Sequence, residues 1–279
     1  MPEKIQNEKT VNVDQGDLLS PGNRLKLRKT IAQNLVFVNA NDEVVHPRNG
    51  IYVRWTKRIL DFLVALVALI LTFPVNFVLG ICTFFDVGWP IFFRQTREGK
   101  NCQPFTIVKF RNMNNKRDEN GNLLPGKERV TKLGKIVRKA SLDELLNFWS
   151  VLKGDMSLIG PRPLVREYTA FLSERHQKRY AVRPGLECPM MIHTDEYKTW
   201  SLQFDNDVWY VEHVSFAVDI KMVFALIRMT FNRKTSKMRG NAVRGSFMGY
   251  NPDGTSINSH SVPAKYIVET FGEAQNGTF

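Results

Sequence analysis

Twenty-four consecutive residues without a charged side chain, FLVALVALILTFPVNFVLGICTFF from Phe62 to Phe85, constrain this chain more than any other feature. At about 1.5 Å per residue a helix of that length measures ~36 Å, enough for a hydrocarbon core of ~30 Å. A helix satisfies its backbone N–H and C=O groups internally, so it is the form such a run takes in lipid. Two features bear on whether it crosses. Pro74, near the midpoint, lacks an N–H and crowds the preceding turn, so a kink or break is expected there. Basic residues flank both ends, with Arg48, Arg54, Lys57 and Arg58 before the run and Arg94, Arg97, Lys100, Lys109 and Arg111 after it. A crossing helix should show charge asymmetry. A re-entrant helix broken at Pro74 would return both ends to one face, each arm of about twelve residues reaching ~18 Å, or half a bilayer. The flanks favour re-entry, and a single crossing stays open at this point.

The 279 residues are long enough for one sizeable core, and the net charge of +12 implies an anionic partner: nucleic acid, anionic lipid or a phosphorylated small molecule. Nucleic acid fits worst, because there is neither an aromatic-interleaved basic surface nor a helix-turn-helix or zinc pattern. Cys82, Cys102 and Cys188 are scattered without CxxC spacing, which argues against a disulfide framework or zinc site and suits a reducing compartment. The polar start, MPEKIQNEKTVNVDQGD, reads as neither a secretory signal nor a transit peptide.

Composition divides the chain into an N-terminal extension (1–50), a membrane segment (51–90), a catalytic region (91–235) and a loosely ordered tail (236–279). The fold class expected is α+β, mainly helical. PIFFRQTREGKNCQPFTIVKF reads as a β-hairpin turning at Glu98–Asn101, and NKRDENGNLLPGKER as a loop. Helices are predicted over about 130–139, 142–153 and 164–180. A last helix from Asp207, apolar over much of its surface and basic at its end, suits a membrane interface. No heptad specifies an oligomer, and a homo-oligomer is left open.

The chemistry concentrates in RKASLDELLNFWSVLKGDMSLIGPRP, Arg138 to Pro163. Ser141 as N-cap and Glu144 three residues on would make a capping box, with both acids suiting the helix dipole. That local account omits the surroundings: residues 94–139 hold 13 Lys or Arg against four Asp or Glu. Arg162 is fixed between two prolines, a rigid presentation of guanidinium to phosphate. Carboxylates among fixed cations beside a membrane segment are what phosphoryl transfer needs.

These motifs, with KRILD, FFRQTREGKNCQPFTIVKFRNM, RVTKLGKIVRKASLDELLNFWSVLKGDMSLIGPRPL and VRPG, are similar from about Trp55 to Arg228 to the bacterial monotopic phosphoglycosyl transferases. The resemblance implies a bacterial cytoplasmic-membrane enzyme with its catalytic domain on the cytoplasmic face. It would move a sugar 1-phosphate from a nucleotide diphosphosugar, of the UDP type, to polyprenyl (undecaprenyl) phosphate, starting assembly of a surface glycan or exopolysaccharide. By resemblance Asp143 is the nucleophile that forms an aspartyl-phosphosugar, and Glu144 holds Mg2+. Lys109, Arg138 and Arg162 would bind phosphate oxygens, Asp219 would organise the metal or its bases, and Pro74 marks the helix break. Two departures stand out: Phe73 precedes Pro74 where the family has Ser, and LECPMMIHTDE follows VRPG where the family carries an Arg-bearing loop, placing Asp195 at the Arg position. His193 or Lys198 could serve instead, or the chain could be a catalytically impaired relative that binds lipid phosphate or scaffolds an assembly complex.

Overall fold

Helical geometry runs well beyond the apolar stretch in the computed structural model, which describes residues 9–14, 20–119, 121, 123–124, 126–192, 199–231 and 245–272. In chain order it forms β1 (Thr10–Val11), α1 (Pro21–Ile31), α2 (Leu35–Ala40), α3 (Lys57–Val87), β2 (Phe92–Glu98), β3 (Pro104–Phe110), α4 (Gly126–Arg129), α5 (Lys132–Lys139) and α6 (Asn147–Lys153). There follow β4 (Ser157–Ile159), α7 (Glu174–Gln177), β5 (Gly185–Glu187), α8 (Trp200–His213), α9 (Phe216–Phe231), β6 (Phe247–Tyr250), β7 (Ser256–Asn258), β8 (Val262–Pro263) and α10 (Ala264–Phe271). The class is the expected mainly helical α+β. Two compact units result: residues 49–163 with 182–187, here the dyad unit, and residues 1–48, 164–181 and 188–279, here the terminal unit.

In the dyad unit α3 is helical on both sides of Pro74. The Thr72 hydroxyl donates to the Ala68 carbonyl (2.7 Å) and Asn76 Nδ2 donates to Thr72 Oγ1 (3.2 Å), so a side-chain bridge runs past the proline, whose missing N–H would have served the Ile70 carbonyl. Only 11% of its most apolar stretch is buried, unlike a core helix. The buried residues Asp61, Ala65, Leu79 and Thr83 fall on one stripe, because their spacings of 4, 14 and 4 are near whole turns. Ala65 packs with Ile107, Val151 and Met156, and Leu79 with Phe110 and Val137. Polar bonds pin both ends to this unit: Arg58 donates to the Val151 and Leu152 carbonyls (2.7 and 2.6 Å), and Thr131 Oγ1 to Asp86 Oδ2 (2.5 Å).

The hairpin lies where the alternating runs place it, with Phe92 opposite Phe110 and Glu98 opposite Pro104. Strands β4 and β5 pair in parallel, and here glycine is obligatory: a Cβ on Gly185 would stand 2.1 Å from the Gly160 amide nitrogen. That contact joins the IGPRP and VRPG motifs.

Four expectations need correction. The helix predicted over 142–153 is instead a 3-10 turn, Leu142–Glu144, followed by α6, and the one over 164–180 breaks at Ser173. Ser173 is extended (ψ 160°) and its hydroxyl accepts from His176 N (3.3 Å), so it caps a new short helix. The single final helix is two, α8 and α9, separated at Val214 (ψ 122°). The fourth concerns the tail. Residues 245–272 form β6, β7, β8 and α10, and β8 pairs with β1, Thr10 opposite Pro263. Leu27 and Ile31 of α1 bury with Met248, Ile257, Val262, Tyr266 and Ile267, so the polar Gly-Asn-Ser composition conceals a core whose other half lies near the N-terminus.

A second core in the terminal unit gathers Phe204, Phe247, Tyr250, Leu172 and Tyr180. Beside it Arg179 Nη2 meets Asp207 Oδ2 at 2.7 Å, with side-chain exposures of 1% and 0%.

Candidate active site

Ser141 adopts a left-handed conformation (φ 55°, ψ 25°), and its side chain caps nothing. The capping box is therefore not formed: only the backbone bond from Glu144 N to Ser141 O (3.2 Å) closes the turn. The reason is electrostatic. Lys109 Nζ and Arg162 Nη2 donate to the same Glu144 oxygen, Oε1, at 2.7 and 2.6 Å. Two cations on one carboxylate oxygen, each a charge-assisted bond, outweigh the single backbone N–H that a capping box would offer it. Lys109 comes from β3, and Arg162 from the Pro-Arg-Pro segment after β4, where Arg162 Nη1 also meets Glu187 Oε2 at 3.6 Å.

The tight turn points Asp143 elsewhere. It is 9% exposed, and Asn112 Nδ2 donates to its Oδ2 at 3.3 Å. Asn112 Oδ1 in turn accepts from Arg138 Nη2 at 2.8 Å, so Arg138 reaches Asp143 through an amide relay. Asn112 is brought in by a close approach: a Cβ on Gly134 of α5 would stand 2.2 Å from the Asn112 carbonyl oxygen. Sequence reasoning missed Asn112 and Glu187. Asn112 lay inside a quoted motif, KFRNM, yet an uncharged side chain carried no electrostatic signal.

The two adjacent carboxylates are driven apart. Burial pushes Asp143 above the ordinary aspartate value, and the Glu144 charge adds to this, against Lys109 and Arg138. Burial also pushes on Glu144, but Arg162 and Lys109 outweigh it and hold Glu144 below the usual range. Opposite displacement of neighbouring acids separates their chemical roles: Glu144 is a fixed anion, Asp143 the more basic carboxylate.

Lys109, Arg138, Asp143, Glu144 and Arg162 thus all lie in the dyad unit, in two hydrogen-bonded sets: Lys109, Glu144 and Arg162 joined directly, and Asp143 and Arg138 joined through Asn112. Asp219 belongs to the terminal unit, where it accepts from the Tyr210 hydroxyl (2.7 Å). Asp195, His193 and Lys198 lie outside the described residues. Among the described residues no group of three or more His, Cys, Asp or Glu could hold a metal. Mg2+ takes one or two carboxylates and fills its octahedron with substrate phosphate and water, so a single Glu144 oxygen other than the Oε1 that holds both cations would be enough to contribute to such a site.

The bacterial sugar transferase family model matches residues 52–233, a span that contains α3, the hairpin and the Asp143–Glu144 pair. The chain belongs to that family and is a transferase. An uncharacterized sugar transferase of Bacillus subtilis, EpsL, is 40% identical over 172 residues, covering 62% of this chain and 85% of the relative. The UDP-N-acetylgalactosamine-undecaprenyl-phosphate N-acetylgalactosaminephosphotransferase of Aeromonas hydrophila is 34% identical over 180 residues (62% of this chain, 43% of the relative). The UDP-glucose:undecaprenyl-phosphate glucose-1-phosphate transferase of Klebsiella pneumoniae is 32% identical over 200 residues (68% and 43%). The chain therefore spans less than half the length of these last two relatives.

Proposed function

We propose that this chain transfers a sugar 1-phosphate from a UDP-sugar to undecaprenyl phosphate, by way of an acyl phosphate on Asp143. The observation that carries the reading is the split dyad, a buried Asp143 of raised basicity beside a Glu144 neutralised by two cations. An Asp143 oxygen attacks the phosphorus that bears the sugar, and the bond to the nucleoside phosphate breaks, releasing UMP. An oxygen of undecaprenyl phosphate then attacks the same phosphorus, which frees the Asp143 carboxylate and leaves a diphosphate-linked sugar on the lipid. Lys109 and Arg162, both held on Glu144, would hold phosphate oxygens as charge redistributes. Glu144 would hold Mg2+, which when bound neutralises the diphosphate. Asp219 is kept as a contributor to that machinery, and Pro74 as the turning point of the membrane helix.

The test is direct: pure protein, Mg2+, undecaprenyl phosphate and a panel of UDP-sugars, with UMP release followed. Absence of release with every donor would favour a non-catalytic, lipid-phosphate-binding role. Mass spectrometry should find a phosphosugar on Asp143 in the wild type.

Asn112 is expected to orient Asp143 and to stabilise its charged form. Asn112→Ala should lower kcat/KM by about 10- to 100-fold, the scale of a misplaced reacting group. Its acid limb should move to higher pH, because removing a donor to a carboxylate raises that group's pKa. Arg138→Ala should act through the same relay, so the double variant should fall short of the product of the singles; strict multiplicativity would break the relay.

The membrane segment is read as re-entrant, on the cytoplasmic face of the bacterial inner membrane. Support comes from the pinning of both α3 ends, at Arg58 and Asp86, to one unit. The exposed α9 stripe of Phe216, Ile220, Val223, Phe224 and Ile227 suits the interface. Cysteines placed at Gly50 and Pro90 should label from the same side of sealed vesicles. Labelling from opposite sides would mean a crossing helix.

A further inference from the structure

Along β3 successive side chains alternate in direction, so Lys109 and Ile107 share one face and Thr106 and Val108 the other. Lys109 reaches Glu144, and Ile107 enters the core with Val151. The other face is unused by the transfer chemistry, and there a groove of about 390 Å3 opens. Its floor is the cross-strand pairs Arg94–Val108 and Thr96–Thr106, and its wall is Trp149 and Lys153 of α6, one helical turn apart. The indole is 53% exposed. Lys153 is held by Asp155 (2.5 Å) at the rim.

The chemistry of this lining is two cations, of which Lys153 is shared with Asp155, two hydroxyls, Gln95 and an exposed indole, a combination that receives a phosphate beside an apolar body. Its surroundings say which phosphate. Strand β2 runs from exposed Phe92 and Phe93 directly into Arg94, an apolar-to-basic gradient of the kind found at headgroup level. Helix α6, which carries Trp149 and Lys153, packs through Val151 against Ala65 of the apolar α3. A soluble nucleotide would need no such apolar margin.

We propose that this groove is a second, non-catalytic site that binds the phosphate headgroup of an anionic bilayer lipid, with Arg94 and Lys153 on the phosphate and Trp149 against the glycerol and upper acyl chain. It is independent of the transfer reaction. Each basic residue near an anionic lipid surface contributes about 1 kcal/mol, or roughly fivefold in affinity.

The experiment is native mass spectrometry of the full chain in detergent, titrated in parallel with phosphatidylglycerol and phosphatidylcholine. Wild type should retain one phosphatidylglycerol at least about tenfold more tightly than phosphatidylcholine. Arg94→Gln should cut that preference about fivefold, and Arg94→Gln with Lys153→Gln should remove most of it. Trp149→Ala, a change at an exposed position, should weaken retention of both lipids. Equal retention of the two lipids by wild type would overturn the proposal, as would an unchanged preference in the double variant at a wild-type melting temperature. Displacement of phosphatidylglycerol by equimolar inorganic phosphate or UDP would assign the groove to a soluble anion and also overturn it.

Discussion

Replacing Asp143 by Asn should abolish transfer, with kcat/KM down by ~10^4 or more as for loss of a covalent nucleophile, while the folded chain melts at or above the wild-type temperature. The two halves have one cause. Burial raises the Asp143 pKa in the folded chain, so at neutral pH folding disfavours its ionised form. A group with a raised folded pKa costs stability above that pKa, and a neutral isostere removes the cost. Asn can still accept from Asn112 Nδ2, so the local geometry is kept. Glu144 should behave oppositely. Its folded pKa is depressed, so it contributes stability above the unfolded carboxyl range, and that contribution is lost as pH falls through the folded value. Glu144→Gln should therefore lower the melting temperature near pH 7, by an amount that shrinks on acidification. Thermal melts of both variants across pH decide the matter: a large destabilisation by Asp143→Asn would make Asp143 a structural residue, and full activity in that variant would end the covalent reading.

The largest loss of stability is expected at a place remote from this chemistry in sequence logic. Arg179→Met leaves Asp207, with 0% side-chain exposure, without the guanidinium that meets it at 2.7 Å. Removing one partner of a buried ion pair costs about 3–5 kcal/mol, since the other charge stays desolvated. At roughly 2–4 °C per kcal/mol for a domain of this size, the melting temperature should drop by roughly 6–20 °C. Arg179 also lies over the Phe204 ring at 5.4 Å, and Met keeps part of that packing. Replacing both partners, Arg179→Met with Asp207→Leu, should recover much of the loss, because well-packed apolar pairs often match buried ion pairs. A fall below about 1 kcal/mol in the single variant would show that the pair is relaxed by water.

Arg179 also shows where reading a sequence stops. In SERHQKRY it sits in what looks like a solvated basic run, and Asp207 in FDND looks like an ordinary surface acid. Neither local pattern reports that the two meet, because charge pairing depends on which helix faces which. The same holds at the dyad. Ser141-x-x-Glu144 satisfies the capping pattern, yet tertiary bonds to Lys109 and Arg162, 35 and 18 residues away, take the carboxylate from the backbone. Asn112 lies 31 residues from Asp143 and bears no charge, so nothing in its neighbourhood marked it.

Periodicity and covalent limits were enough for the rest. An uncharged run of 24 residues dictates a helix exposed to something other than water, and alternation around Gly99 dictates the hairpin. Charge density around two prolines and two acids marked Arg138, Asp143, Glu144 and Arg162, since chemistry on phosphate needs those residue types, while Lys109 entered only through the family resemblance. Those signals are local, carried by neighbours within a turn or a strand. Only the tertiary structure decided which oxygen meets which cation, that Asn112 links Arg138 to Asp143, and that Thr10–Val11 pairs with Val262–Pro263. Such contacts join segments far apart in the chain, and they are selected by packing and desolvation of the whole fold rather than by any pattern a short stretch can hold.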